Sequence, residues 1–255
     1  MSGRERPLRL MTWNIHGGVG PDGRFDLERI AALVARHRPD LLALQEVDTR
    51  GRGVECLAPL DGLGIGHRAE ARTIAVGDGH YGHVLFARWP IGEVVLHDLS
   101  VRRREPRIAI EAQVATPAGP LRLVAVHLGL ALVERHRQLS RLASIARAGD
   151  GMPMVMMGDF NDWFPAGGWR RALARSLPER TALRSFPAHW PTLRLDRIYC
   201  SARGMLRDAF TDPAARHASD HLPVIADIVL PPPAEATGRE ATPQSVREPA
   251  GMATG

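Results

Sequence analysis

Polar side chains that suit a hydrolytic site stand beside apolar runs at several points in the sequence. Because the ends of neighbouring strands meet at one edge of a sheet, we expect these side chains to converge. Carboxylate and amide oxygens bind Mg²⁺, a histidine with an Asp-Asn pair can position water, and a second imidazole can face charge that develops on a phosphoryl group. The set indicates metal-assisted hydrolysis of a phosphate ester. Its members are Asn14, Glu46, His127, Asp159, Asn161, Ser219, Asp220 and His221.

Each member taken alone has an ordinary structural explanation, since Asn, Asp and Gly are common turn residues. Asn14 could close a turn, His127 could be a hydrogen-bonded histidine at a strand end, and residues 158–162 could form a polar loop. The joint occurrence of these residues at five strand ends favours the catalytic interpretation.

Short apolar and β-branched runs predict nine strands, and helical spacing predicts two helices between them. The first helix covers residues 26–37, with Asp26 as its N-cap, and the second covers residues 131–148 with Glu134, Arg135, Arg137 and Arg141 on a polar face. This mixture predicts an α/β or α+β domain in which helices cover sheets. The predicted strands are 8–13, 41–45, 83–87, 93–96, 108–114, 121–126, 154–157, 197–200 and 224–229.

The composition is that of a globular protein, with 255 residues of which 44% are hydrophobic and 24% charged. No linker divides residues 8–230, so we predict one domain there, followed by a disordered Pro/Ala-rich tail at residues 231–255. Two cysteines, Cys56 and Cys200, are too few for a disulfide framework. No apolar run approaches the roughly 18 residues that a membrane span needs. We therefore expect a cytoplasmic protein without stable membrane insertion, and nothing indicates its oligomeric state.

The net charge of +5 comes from 33 basic and 28 acidic residues, and every basic residue is an arginine. A GC-rich coding bias explains this usage more simply than a selected phosphate-binding surface does. The charge permits an anionic substrate without requiring one.

The chain resembles the endonuclease/exonuclease/phosphatase family of metal-dependent phosphohydrolases over residues 10–227. This resemblance implies a four-layer α/β sandwich, in which two central, mostly antiparallel sheets are flanked by helices and the active site lies at one end. Seven segments carry it in order: Thr-Trp-Asn-Ile-His-Gly-Gly at 12–18, Leu-Gln-Glu-Val at 44–47, Tyr-Gly-His with Ala-Arg-Trp-Pro-Ile at 81–91, His-Leu-Gly at 127–129, Gly-Asp-Phe-Asn at 158–161, Leu-Asp-Arg-Ile-Tyr at 195–199 and Ser-Asp-His at 219–221.

The resemblance also implies a role for each metal and water residue. Glu46 is expected to be the principal ligand of Mg²⁺, or of Mn²⁺ in its place, with Asn14 and Asp220 completing or water-bridging the coordination shell. Asp159 and Asn161 are expected to orient and activate the attacking water.

Two histidines and one further carboxylate complete the implied catalytic set. His221 is expected to act on the phosphate or the water, with Asp196 fixing its orientation. His127 is similar to the second histidine of the sphingomyelinase-like and phosphatase branches, where it would stabilise charge on phosphoryl oxygens.

Three more residues are candidate substrate contacts. Arg107 stands where relatives often have an arginine and could bind a phosphate, and Tyr81 and His83 lie in a matching segment. His83 replaces a small or amide residue of many relatives, so it is either a substrate contact or merely tolerated. The run at residues 102–104 is expected to be a solvated loop.

The favoured function is hydrolysis of a lipid-like or small soluble phosphoester, because several segments resemble a bacterial branch whose members often neighbour phospholipid-handling genes. A nuclease of the same fold is the alternative. It fits the basic charge, but His16 stands where apurinic endonucleases carry an aspartate, and aromatic residues make up only 5% of the chain. A non-catalytic binding protein is a remote alternative, since no expected site residue is missing. A peripheral membrane protein would need an apolar or basic amphipathic face, which no predicted helix clearly offers.

Overall fold

The computed structural model describes residues 6–148, 151–163 and 168–232, so the predicted tail lies outside them from residue 233 onward. In the described part the strands are β1 (Leu8–Asn14), β2 (Leu41–Asp48), β3 (His67–Val76), β4 (Gly79–Ala87), β5 (Ile91–Asp98), β6 (Ile108–Thr116), β7 (Gly119–His127), β8 (Met154–Asp159), β9 (Glu179–Arg180), β10 (Asp196–Cys200), β11 (Leu206–Thr211) and β12 (Val224–Ile228). The helices are α1 (Leu27–His37), α2 (Ala58–Asp61), α3 (Leu132–Arg147) and α4 (Gly168–Ser176). All nine expected strands and both expected helices are confirmed.

The described strands form two six-stranded sheets built on the same plan. The first sheet has the order β11-β12-β1-β2-β4-β3, and the second has the order β5-β6-β7-β8-β10-β9. Among these pairs only β1 with β2 and β7 with β8 run parallel. A parallel pair needs a crossover connection, and α1 and α3 provide it. Each sheet therefore carries one βαβ unit at its centre.

Three apolar cores separate four layers. The core between the sheets joins side chains such as Leu10 and Leu41 to Ile110 and Met157. A second core lies between the first sheet and α1, and a third lies between the second sheet and α3. The four-layer α/β sandwich implied by the family resemblance is therefore confirmed.

The two long helices begin and end largely where the sequence predicts. The side chain of Asp26 caps α1 by accepting a hydrogen bond from the Arg29 N–H at 3.2 Å. In α3 the predicted polar face is wrong in part. Arg137 and Arg141 are exposed, but Glu134 and Arg135 are buried, because they turn onto the loop that follows β7. No helix in the described ranges is long and apolar enough to cross a membrane.

Candidate active site

The two parallel strand pairs bring four of the predicted site residues to one end of the molecule. Asn14 and Glu46 lie at the carboxyl ends of β1 and β2, while His127 and Asp159 are the last residues of β7 and β8. The Nδ2 atom of Asn14 donates to Glu46 Oε1 at 2.8 Å and to Asp159 Oδ2 at 3.1 Å. The ends of the two sheets therefore meet through a single amide.

An irregularity in β2 sets the position of Glu46. The pairing of β2 with β4 shifts register between Leu44 and Val47, and Glu46 has a φ of 56°. This bulge leaves Glu46 with a side chain that is 25% exposed, directly after the buried run from Leu41 to Gln45. Its Oε1 atom lies 3.7 Å from His127 Nε2. Glu46 is thus more accessible to solvent than Asp159, whose side chain is buried.

Asp196 and His221 join the cluster from antiparallel strands, whose beginnings lie at the same end. Asp196 starts β10 directly opposite Asp159, and His221 precedes β12. The Nδ1 atom of His221 lies 2.8 Å from Asp196 Oδ2, and its Nε2 atom lies 3.9 Å from Asp159 Oδ2. The His221 carbonyl accepts a hydrogen bond from Trp13 Nε1 at 2.9 Å, which fixes this loop against β1. The expected contact between Asp196 and His221 is present.

Burial and neighbouring charges set the protonation of these groups. Burial, followed by the charge of Asp196, raises the pKa of Asp159 to about 7. Burial alone would lower the pKa of His221, but the charge and hydrogen bond of Asp196, together with the charges of Asp159 and Asp220, raise this pKa to about 10. Burial, then the nearby Arg107, holds the pKa of His127 well below its usual value. At neutral pH the site therefore contains one charged and one neutral imidazole.

Asn161 links the loop after β8 to the loop after β7. Its backbone N–H donates to Asp159 Oδ1 at 2.8 Å, and its Nδ2 atom donates to the Leu128 carbonyl at 2.7 Å. Its φ of 47° lies in the left-handed region, where asparagine is favoured over most residues. Asn161 therefore holds the loops around Asp159 and His127 together.

Asp220 lies at the solvent side of the cluster. Its side chain is 43% exposed, and its Oδ1 atom lies 3.9 Å from His16 Nδ1 and 3.4 Å from Ser219 Oγ. The Ser219 hydroxyl donates to the Asn14 carbonyl at 2.7 Å. Asp220 is thereby tied to the end of β1 through its neighbour in sequence.

Arg107, His83 and Tyr81 form a second group beside His127. Arg107 and His83 are buried, and neither Arg107 Nε nor His83 Nε2 has a hydrogen-bond partner among the described residues. Burial, then Arg107, lowers the pKa of His83 to about 4, and burial, then Glu46, raises the pKa of Tyr81. The three predicted substrate contacts therefore adjoin the cluster, whereas residues 102–104 are exposed as expected.

A buried polar group beneath the loop after β7 was not predicted. Gln138 Oε1 accepts a hydrogen bond from the Gly129 N–H at 2.9 Å, and Arg135 donates to the Leu130 carbonyl. A Cβ atom at Gly129 would overlap the Glu134 carboxylate. Arg135 and Gln138 lie three to four residues before the buried positions of α3 that follow them. This helical spacing could have predicted that both residues are buried.

The acidic cluster suits a hard divalent cation. Ligand atoms of Asp159, Asp196 and His221 lie within 4.8 Å of one another, and Asp196 Oδ1 is buried without a hydrogen-bond partner among the described residues. Glu46 adds a further carboxylate that shares Asn14 with Asp159. Oxygen donors of this kind bind Mg²⁺ or Mn²⁺. Together with imidazoles and an adjoining arginine, they can bind and cleave a phosphoester.

Comparison with known proteins matches residues 11–221 to the Endonuclease/Exonuclease/phosphatase family. The chain is 31% identical over 249 residues to the uncharacterized protein YbhP of Escherichia coli K12, covering 88% of this chain and 96% of that protein. Among solved structures, an endonuclease/exonuclease/phosphatase from Beutenbergia cavernae aligns with a TM-score of 0.73 and 23% identity, over 88% of this chain and 72% of that one. A mannosyl-6-phosphatase from Bacteroides thetaiotaomicron aligns with a TM-score of 0.68 and 18% identity, over 88% and 100% of the two chains.

Proposed function

The chain belongs to the endonuclease/exonuclease/phosphatase family, and from this premise we propose that it is a Mg²⁺-dependent hydrolase of phosphoester bonds. A hydrolase of the phosphoesterase or nuclease type follows from the family itself. The observation that supports the finer proposal is the convergence of Glu46, Asp159 and Asp196 with His127 and His221 at one end of the sandwich.

We assign the cation to Glu46, with Asn14 and Asp220 beside it. Glu46 and Asp220 are the acidic side chains of the cluster that solvent reaches, whereas Asp196 is already paired with His221. A hydrated ion can therefore approach the first two without disrupting a buried ion pair. When bound, Mg²⁺ would neutralise charge on the phosphoryl oxygens of the substrate.

The buried residues would move and hold protons. Asp159, whose pKa lies at about 7, can accept a proton from an attacking water near neutral pH. Protonated His221 faces Asp159 and can stabilise the negative charge that builds on the phosphoryl oxygens. Asp196 holds the His221 ring by its Nδ1 atom and leaves Nε2 directed at the site. Neutral His127 can hydrogen-bond a phosphoryl oxygen without adding charge.

Arg107, His83 and Tyr81 would contact the substrate beside the reacting phosphate. Arg107 is a buried cation that pairs with Glu105 through Nη1, and its Nε atom has no hydrogen-bond partner in the described part of the chain, so it can still donate to an anionic ligand. Asn161 would position the attacking water indirectly, through the loop contacts of Asp159 and Leu128.

The substrate we propose is a phosphodiester or phosphomonoester of a lipid-like or small soluble molecule. The mannosyl-6-phosphatase shares this fold at 18% identity, so the fold is compatible with hydrolysis of a small phosphoester. A nuclease remains the second candidate because the net charge is +5. The free cysteines Cys56 and Cys200 agree with the proposed cytoplasmic location.

A substrate screen with a metal-ligand variant tests the proposal. Phosphomonoesters, phosphodiesters, phospholipids and DNA are each incubated with the protein in Mg²⁺, in Mn²⁺ and in EDTA. We expect turnover of at least one phosphoester that EDTA abolishes and that Glu46→Gln reduces by about 10²-fold or more. Glu93→Gln, an exposed change on the edge strand β5, is the matched control and should retain full activity.

Two outcomes would contradict the proposal. Turnover at the wild-type rate in EDTA would exclude metal dependence. Calorimetric titration with Mn²⁺ tests the ligands separately. If Glu46→Gln binds Mn²⁺ as tightly as the wild type while Asp196→Asn does not, the ion belongs to the buried group of Asp159, Asp196 and His221 instead.

A further inference from the structure

The solvent face of α3 carries positive charge and no negative charge. The sequence between Leu132 and Arg147 contains one acidic residue, Glu134, and its side chain is buried against Gly129. The exposed residues of α3 are Leu132, Val133, His136, Arg137, Ser140, Arg141, Ser144 and Arg147. The face thus has an apolar tip followed by a stripe of arginines.

A groove beside α3 adds a further arginine from another loop. It has a volume of about 390 Å³ and separates the helix from the loop between β5 and β6. Arg102, Arg137 and Arg141 line it together with His136, Ser100 and Ser140, and no carboxylate is among its described lining residues. Guanidinium groups bind phosphate well. The groove therefore has the chemistry of a site for phosphate head groups.

Exposed apolar side chains surround the catalytic end next to this groove. Leu130 is 64% exposed, Leu132 60% and Val133 68%, and all three follow His127 within six residues. Two tryptophans lie on neighbouring loops: Trp163, 36% exposed, and Trp190, 78% exposed. The loop that bears Trp190 is bonded to the site, because the Ala188 N–H donates to the Asp220 carbonyl at 2.7 Å. Apolar residues clustered around a functional site mark an interaction surface.

We propose that this surface docks the protein on membranes that contain anionic phospholipid. The apolar residues Leu130, Leu132 and Val133 would enter the interface, and Arg102, Arg137 and Arg141 would contact the head groups. Exposed apolar side chains that enter the acyl boundary and arginines near anionic head groups each contribute to interfacial binding. A single-stranded nucleic acid would use the arginines, but its bases stack on aromatic side chains and not on aliphatic ones. The catalytic end would then face the lipid surface.

Vesicle binding tests the surface without requiring turnover. The full chain is sedimented with vesicles of phosphatidylcholine alone and with vesicles of equimolar phosphatidylcholine and phosphatidylglycerol. We expect binding to the anionic vesicles only. The pair Arg137→Gln and Arg141→Gln should weaken it about thirtyfold, since each arginine near an anionic surface contributes a factor of roughly five. The pair Leu132→Ser and Val133→Ser should weaken it by about tenfold or more.

A matched control distinguishes the effect of this surface on vesicle binding from the effect of the protein's net charge. Arg203→Gln with Arg207→Gln removes the same two charges from exposed positions at and next to β11, the outermost strand of the first sheet, and should leave vesicle binding unchanged. Failure of the wild type to bind anionic vesicles, or equal losses in both arginine pairs, would overturn the proposal. The proposal would also be overturned if the protein bound a short DNA duplex more tightly than anionic vesicles, and if the pair Leu132→Ser and Val133→Ser did not weaken that DNA binding. Because no substrate is turned over, these results are independent of the proposed reaction.

Discussion

The buried pair of Asp196 and His221 allows a sharp test of how the site works. We expect Asp196→Asn to lower kcat/KM by about 10²–10³-fold, a large part of the roughly 10²–10⁴-fold that a positioned acid–base group contributes. Asp196 Oδ2 lies 2.8 Å from His221 Nδ1, and both side chains are buried, so water is poorly placed to replace the lost partner. Among the influences that raise the pKa of the His221 imidazole to about 10, the charge of Asp196 is the largest, so we expect its removal to lower that pKa.

The double variant shows whether the two residues act as one unit. If they do, Asp196→Asn should add no more than about tenfold to the loss caused by His221→Ala alone. The assay is kcat/KM for the best substrate at saturating Mg²⁺, with circular dichroism melting to verify folding and calorimetry to verify unchanged metal affinity. Asp208→Asn, an exposed change on β11, should behave as the wild type. A double variant that loses the full product of both single defects would refute the coupling.

Other parts of the fold give further expectations. Gly158→Ala should destabilise the protein by roughly 2–4 kcal/mol in urea unfolding, because Gly158 has a φ of 150° and a Cβ there would overlap the Val126 carbonyl; a loss below experimental error would contradict this steric argument. Asp212→Asn should cost about 1–2 kcal/mol at pH 7. The pKa of Asp212 is lowered because hydrogen bonds from the Ala214 N–H and His37 outweigh the opposing effect of burial. This stability is present above the unfolded pKa and is lost as pH falls through the folded pKa, so the difference between the two proteins should disappear in acid. Deleting residues 231–255 should leave the melting temperature unchanged, since they contain almost no large apolar residue, and a drop of several degrees would count against that prediction.

The strands that sequence reasoning missed share a position in the fold. β3, β9 and β11 are three of the four outermost strands of the two sheets. An edge strand has one unpaired side and often faces solvent on both surfaces, so its sequence lacks the apolar run or strict alternation that identifies a central strand. β3 illustrates this with its sequence HRAEARTIAV, whose buried positions are two alanines. Central strands were predictable because both of their faces pack in a core.

The site could be predicted as a set of residues but not as a geometry. Polar residues at strand ends identify Asn14, Glu46 and Asp159, yet their meeting depends on which strands run parallel, and that depends on contacts far apart in sequence. The burial of polar residues on α3 was missed for a different reason. Glu134 and Arg135 are usually exposed residue types, but in the folded protein Arg135 donates to the Leu130 carbonyl and Glu134 packs against Gly129, both in the loop after β7. Their burial also removes the acidic residue from the exposed face of that helix.

An amide at the end of β1 is explained by the charges around it. Asn14 donates from one Nδ2 atom to Glu46 and to Asp159, and its Oδ1 atom accepts a hydrogen bond from the His16 N–H at 3.0 Å. A carboxylate at this position would bring a third negative charge beside two others and could donate no hydrogen bond while ionised. Because Asn14 is buried, that charge would also be costly to desolvate. The amide therefore holds an acidic residue from each sheet at hydrogen-bond distance, which keeps Glu46 and Asp159 close together at the end of the sandwich.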